Sequence, residues 1–279
     1  MNKRNIENIT IDFVENTTFS TKLMLCISKI QEDATTKCEE ASVEISNMMR
    51  FFTERDMVVD EIYWNYRAVI NCLKSIYNSI FFIKNYDKRD YIQDEYVAFD
   101  EFCLYHHDVI CHKIATIKDL YFKLVDKLYD LKLKKVNWKE LKKQKDKINN
   151  EQLFYILEEY FRVSKSLEEQ RHASSHDGKI TLRLLNDFSI VQMQVYLREH
   201  TNIPDSSKED LYDRKSKMYY LQMIKARAKA LQFLYVIRYN TFMATKEFFN
   251  SLSCKLCSRL RELYPNEDFE LKENNVEQN

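Results

Sequence analysis

The segment EQLFYILEEYFRVSKSLEEQRHASSHDG, residues Glu151 to Gly178, decides how the chain is read. Its stripe Leu153, Ile156, Leu157, Tyr160, Ser164 and Leu167 recurs at three- and four-residue steps, the period of an amphipathic helix and not of a strand. Asn149 or Asn150 stands where an N-cap is needed. Continuing the stripe by four places Arg171 on the inner face. Gly178, the only glycine in the chain, stands where such a helix ends, because it takes a positive φ at no steric cost.

The last turn is rich in chemistry. Arg171, His172, Ser174, Ser175 and His176 put a guanidinium, two imidazoles and two hydroxyls within six residues. Arginine stays cationic and forks onto phosphate oxygens. Histidine gives and takes protons near neutral pH. Together they point to phosphate-ester chemistry. The plainer reading is a helix C-terminus, where cations complement the macrodipole and a following glycine is an ordinary cap. Spacing leaves both readings open. His172 lies four residues after Glu168 and four before His176, so these align on a helix. Arg171 and His176 are five apart, about 140° around the axis. They converge only where the last turn unwinds or the long arginine reaches across.

Arg171, four residues and His176 resemble the R-x4–6-H signature of HEPN domains, and His176-Asp177-Gly178-Lys179 resembles members related to abortive-infection and toxin systems. The resemblance spans roughly residues 20 to 262, with only the motif specific. It implies an all-α bundle of long helices with the motif at the end of one of them. It also implies a metal-independent RNA endonuclease that needs no cofactor, works as a homodimer with two motifs in one cleft, and acts in phage defence or beside an antitoxin protein. In that reading Arg171 holds the phosphate and His176 moves the proton, with Glu168, His172, Ser174 and Ser175 in support. Many active members carry Asn or Asp directly after the arginine, where this chain has His172. That departure keeps a second reading alive, a non-catalytic HEPN-like helical module that binds a nucleotide or a protein.

The rest of the composition agrees with helices. One Gly and two Pro among 279 residues are too few for sheets with tight hairpins, for a P-loop or for a dinucleotide-binding glycine fingerprint. A hydrophobic fraction of 45% is enough to bury a sizeable core. The 43 basic and 43 acidic residues cancel, which argues against a protein that coats nucleic acid, keeps any RNA contact local and leans toward the non-catalytic reading. The local excess falls in 132–147, eight lysines against Glu140 and Asp146. Lys134, Lys135, Lys139, Lys142 and Lys143 are the candidate RNA contacts, with a solvated helix face as the ordinary alternative. Trp138 and Leu141 anchor this stretch, and Asn137 is placed to cap a short helix. A polar N-terminus, no apolar run of about 18 residues and seven cysteines without framework spacing lead us to expect a cytoplasmic chain with reduced thiols and no membrane partner.

In chain order, we expect an N-terminal arm over 1–19, a single helical domain over 20–263 and a disordered acidic tail over 264–279. Ser20 or Thr21 is the expected first cap. Helices are predicted over about 56–83, 91–133, from Glu151, and over 208–263 with a break near Lys215–Lys217. Arg67, Asn71 and Asn78 read as polar residues at the core edge. A small β-hairpin is expected around Asn186-Asp187, after the motif helix, and a loop over 200–207. Cys103, His107 and Cys111 share one helical face, but i and i+8 are about 12 Å apart, too far for one ion to bind all three. Buried thiols are the reading we prefer there. Cys254-x-x-Cys257 lacks the second pair that a zinc site needs, so no metal is assigned, and a metal-containing helical protein using these cysteines and the Cys/His cluster stands only as a third reading.

Overall fold

A chain with one glycine and two prolines has few residues that stop a helix by themselves. In the computed structural model, which describes residues 9–86, 99–177 and 208–265, every regular element is helical. The elements are α1 (Asp12–Glu15), α2 (Thr18–Glu40), a 3-10 helix (Ile45–Phe51), α3 (Glu54–Asn85), α4 (Phe99–Leu128), α5 (Trp138–Lys142), α6 (Lys145–Ile148), α7 (Glu151–Asp177) and α8 (Lys208–Leu263). The fold is all-α and is built of long helices. The expected hairpin, the 200–207 loop and all of the expected 264–279 tail except its first two residues lie outside the described residues; of those two, Tyr264 is buried against the fold.

Helices are ended by residues other than glycine. After α2, Ser42 takes φ 54. Val43 N–H then donates to Cys38 C=O at 2.8 Å and Ser42 N–H to Glu39 C=O at 3.1 Å, the paired bonds of a Schellman stop. After α4, Asp130 at φ 48 does the same, with Leu131 N–H on Asp126 C=O at 3.0 Å. The Asp126 carboxylate also accepts from Leu133 N–H at 3.0 Å, which secures the turn. Asn149 at φ 43 closes α6, and Asn150 opens α7 by accepting from Leu153 N–H at 2.9 Å.

N-termini are capped as side-chain chemistry requires. Thr17 caps α2, accepting from Ser20 N–H at 3.2 Å, so the helix starts earlier than the Ser20 or Thr21 cap predicted. Residues Asp12–Glu15, inside the stretch expected as an N-terminal arm, form a helical turn with Val14 fully buried. Thr53 and Asp56 make a reciprocal capping box before α3, at 2.8 Å and 3.3 Å. Asn137 caps α5 as expected, through Glu140 N–H at 3.0 Å. The break expected at Lys215–Lys217 is absent, since α8 is continuous from Lys208 to Leu263. A cluster of Lys and Arg is polar but strongly helix-forming, and no Gly or Pro interrupts it.

Contacts sort the helices into two compact units, and α3, α4, α7 and α8 each contribute to both. One unit gathers Ile9–Leu73, Ala115–Val163 and the chain from Thr241. Its core is aromatic. Tyr121 stacks on Phe248 at 3.9 Å and meets Tyr160 edge-on at 5.2 Å, while Phe249 stacks on Phe19 at 5.1 Å and meets Tyr66 at 5.2 Å. Such ring pairs add about 0.5–1.5 kcal/mol each beyond the area they bury. The Tyr121 hydroxyl donates to Thr245 Oγ1, which donates onward to Thr241 C=O, both at 2.7 Å, so the one polar atom of this buried ring is satisfied. Tyr264, just past α8, is buried and donates to Asp56 at 2.5 Å.

The other unit gathers Lys74–Ile114 with Ser164–Asn240. There the buried Arg238 lies over the Tyr77 ring at 5.3 Å and the Tyr235 ring at 5.1 Å, and Arg227 donates to Tyr86 C=O at 3.0 Å. In this unit Asn78 is exposed, and in the first Asn71 is exposed and Arg67 half-buried, so only Arg67 keeps the predicted place at the core edge.

Candidate functional site

The motif is carried by α7, whose entry is fixed at Asn150. That side chain caps the helix and also donates to Ser251 C=O at 3.1 Å and to the Tyr129 hydroxyl at 3.4 Å. From there the apolar stripe read from the sequence is buried as predicted. Leu153 and Leu157 are fully covered, and Ile156, Tyr160, Ser164 and Leu167 nearly so. The helix stays intact through Arg171 and His176 to Asp177, so no unwinding precedes Gly178. On an intact helix a five-residue step is about 140° around the axis. The side chains of Arg171, His172, Ser174, Ser175 and His176 lie outside the described residues.

Glu168 is the one supporting residue whose side chain is described. It is half-buried and accepts from the Ser164 hydroxyl, one turn earlier, at 3.2 Å. Ser164 is itself only 2% exposed, so the bond is held where water competes poorly.

The five candidate lysines are all exposed. Trp138 pins their segment, with its ring 4.8 Å from Phe161, 5.9 Å from Phe154 and 6.1 Å from Phe122. Leu141 is fully buried beneath. Two of the lysines have acidic partners: Lys142 meets Glu158 at 3.1 Å and lies over Trp138 at 4.8 Å, and Lys143 meets Glu140 at 2.8 Å. Lys139 and Lys135 also act on the Glu140 carboxylate at longer range, behind Lys143, so Lys134, Lys135 and Lys139 are the less closely engaged of the five. These lysines belong to the unit that holds Ala115–Val163, and the motif belongs to the unit that starts again at Ser164.

The Cys and His residues of α4 are core. Cys103, His107 and Cys111 share a face as predicted, and each is only 1% exposed. Cys111 Sγ is 3.6 Å from His107 Nδ1. Burial pushes the His107 imidazole down to about 4, against the opposing pull of Asp108. Burial, helped by Asp108, pushes the Cys111 thiol up to about 12. Both groups are thus neutral at ordinary pH, and a metal would have to ionise a thiol that its surroundings keep protonated. His106 is buried beside them among the Phe82, Phe102 and Tyr105 rings, at 5.4, 4.5 and 5.2 Å, and burial lowers its pKa as well. Among the described residues, no three or more His, Cys, Asp or Glu side chains gather as a metal site, and no helix is long and apolar enough to cross a membrane.

One feature escaped the sequence. Thr18, at the start of α2, forms a groove with Cys254, Cys257, Ser258, Arg261 and Glu262 of α8, of about 550 Å³. The Cys-x-x-Cys spacing was its only signal, because Thr18 lies more than two hundred residues away in the chain. Comparison with protein-family models, with curated proteins and with solved structures returns no match.

Proposed function

We propose that this chain is a metal-independent endoribonuclease of HEPN type, acting as a homodimer on RNA in the cytoplasm, in phage defence or a toxin system. The observation that carries the reading is the Arg171-x4-His176 motif at the C-terminal end of a long helix in an all-α chain. The chemistry follows from the residue types. A base takes the proton of the ribose 2′-OH, and the 2′-oxygen forms a bond to the adjacent phosphorus. The bond from phosphorus to the 5′-oxygen breaks, and an acid returns a proton to that oxygen. The products are a 2′,3′-cyclic phosphate and a 5′-OH. One histidine performs one of these transfers at a time, so two copies of His176 in a shared cleft supply base and acid together. Arg171 neutralises the nonbridging oxygens as charge builds on the phosphorane.

A second reading is a non-catalytic helical module that binds a nucleotide or a protein. The intact helix favours it, because the five-residue spacing sets Arg171 and His176 on different faces within one copy. Total RNA incubated with protein in EDTA separates the two. Cleavage to cyclic-phosphate ends by the wild type, abolished in Arg171→Ala and in His176→Ala, is the expected result. No cleavage, with altered nucleotide binding or stability in the same variants, establishes the second reading.

A further inference from the structure

The structure places two accessible thiols in one groove. Of seven free cysteines, Cys26, Cys38, Cys72, Cys103 and Cys111 are buried, Cys254 is exposed and Cys257 is half-buried. Cys254 and Cys257 stand three residues apart on the unbroken α8 and line the same groove of about 550 Å³. On a helix, that spacing holds the two Cβ atoms about 5–6 Å apart. A disulfide needs roughly 3.5–4.5 Å, so the helix resists direct oxidation of the pair. An ion between the sulfurs suits the spacing better, since two thiolate–metal bonds of roughly 2.3 Å span about 4.6 Å in line.

The surroundings narrow the ion. Structural zinc requires four ligands, and no set of three or more metal-ligating side chains exists among the described residues. Glu262, the carboxylate in the groove wall, is engaged by Arg259 at 3.0 Å, by Ser258 at 3.4 Å and by Lys255 at 3.9 Å. Two thiolates without a further ligand among the described residues suit a soft, low-coordinate cation. Arg261 in the same wall sets a positive charge beside the complex.

We propose that Cys254 and Cys257 form a two-coordinate thiolate clamp for copper(I). Two S–H bonds are lost, two S–Cu bonds form, two protons leave to solvent and no electron is transferred. The bound unit carries a net charge of −1, which Arg261 offsets. The clamp is independent of the ribonuclease reading, because it uses no residue of the motif.

Anaerobic titration of the full chain with copper(I), against the chromophoric chelator bathocuproine disulfonate, tests this. One equivalent is expected to bind. Cys254→Ser and Cys257→Ser are each expected to weaken binding by more than about 100-fold, beyond the 10–100-fold that loss of an outer partner costs. X-ray absorption of the loaded wild type should show two sulfur neighbours and no nitrogen. Undiminished binding in the double serine variant, two equivalents bound one per thiol, or nitrogen in the copper shell would each overturn the proposal. Both positions are solvent-accessible, so the serine variants keep the fold, and unchanged circular dichroism verifies this.

Discussion

Burial turns His107 from a proton carrier into a stability element. Its pKa of about 4 in the fold lies below the ordinary 6.5. As pH falls, the unfolded chain takes the proton first, so stability is complete above pH 6.5 and declines as pH approaches 4. The loss amounts to about 3 kcal/mol once both states are protonated. His106, also lowered by burial, adds to the decline in the same direction. Urea unfolding at pH 7 and at pH 4.5 should show most of this drop, about 2 kcal/mol, in the wild type and a smaller one in His107→Leu. Asp56 acts in a different window. Burial raises its pKa, but hydrogen bonds from Thr53 and Tyr264 outweigh that and hold it below 3.8, so its contribution is lost only at more acid pH. The sequence showed that Cys103, His107 and Cys111 share a face. It did not show the depth of burial that decides their protonation, because depth depends on what covers the face.

At the scale of elements, the Asn149-Asn150 pair converts one helix into the next. Asn149 accepts the left-handed backbone that ends α6, and Asn150 caps α7 and ties it to Ser251 on α8. Asn150→Ala leaves Leu153 N–H without its acceptor and removes the tie to Ser251, for a loss of about 1–2 kcal/mol in urea unfolding. Asn149→Gly, which suits the same φ, should stay within about 0.5 kcal/mol of wild type. Caps of this kind are legible in sequence, since they depend on neighbours along the chain. Asn137 is legible on that basis, and Asn150 as one of two candidates beside Asn149. Thr17 was missed because Ser20 and Thr21 offer the same chemistry a few residues later. The continuity of α8 is less legible, because a polar cluster that looks like a break is also strongly helix-forming.

Across the whole molecule, equal numbers of acids and bases confine any polyanion to local patches. Under the ribonuclease reading, Lys134, Lys135 and Lys139 should carry much of the attraction to RNA, since Lys142 and Lys143 face Glu158 and Glu140. Replacing the first three by Gln should lower RNA affinity and reduce the slope of log K against log salt by about 2 for a single strand. The same change at Lys142 and Lys143 should reduce the slope by less per residue. Fluorescence anisotropy over a salt series measures both.

The sequence by itself determined the helical class, most helix spans and several of the caps. Periodicity, the near absence of Gly and Pro, and cap chemistry all act between residues a few positions apart. Tertiary structure alone decided which faces are sealed and which distant residues meet. The aromatic stack of Phe19, Tyr66, Tyr121, Phe248 and Phe249, the Tyr264–Asp56 bond and the groove joining Thr18 to Cys254 and Cys257 depend on that. Burial and long-range contact are properties of packed helices, and no local pattern encodes them.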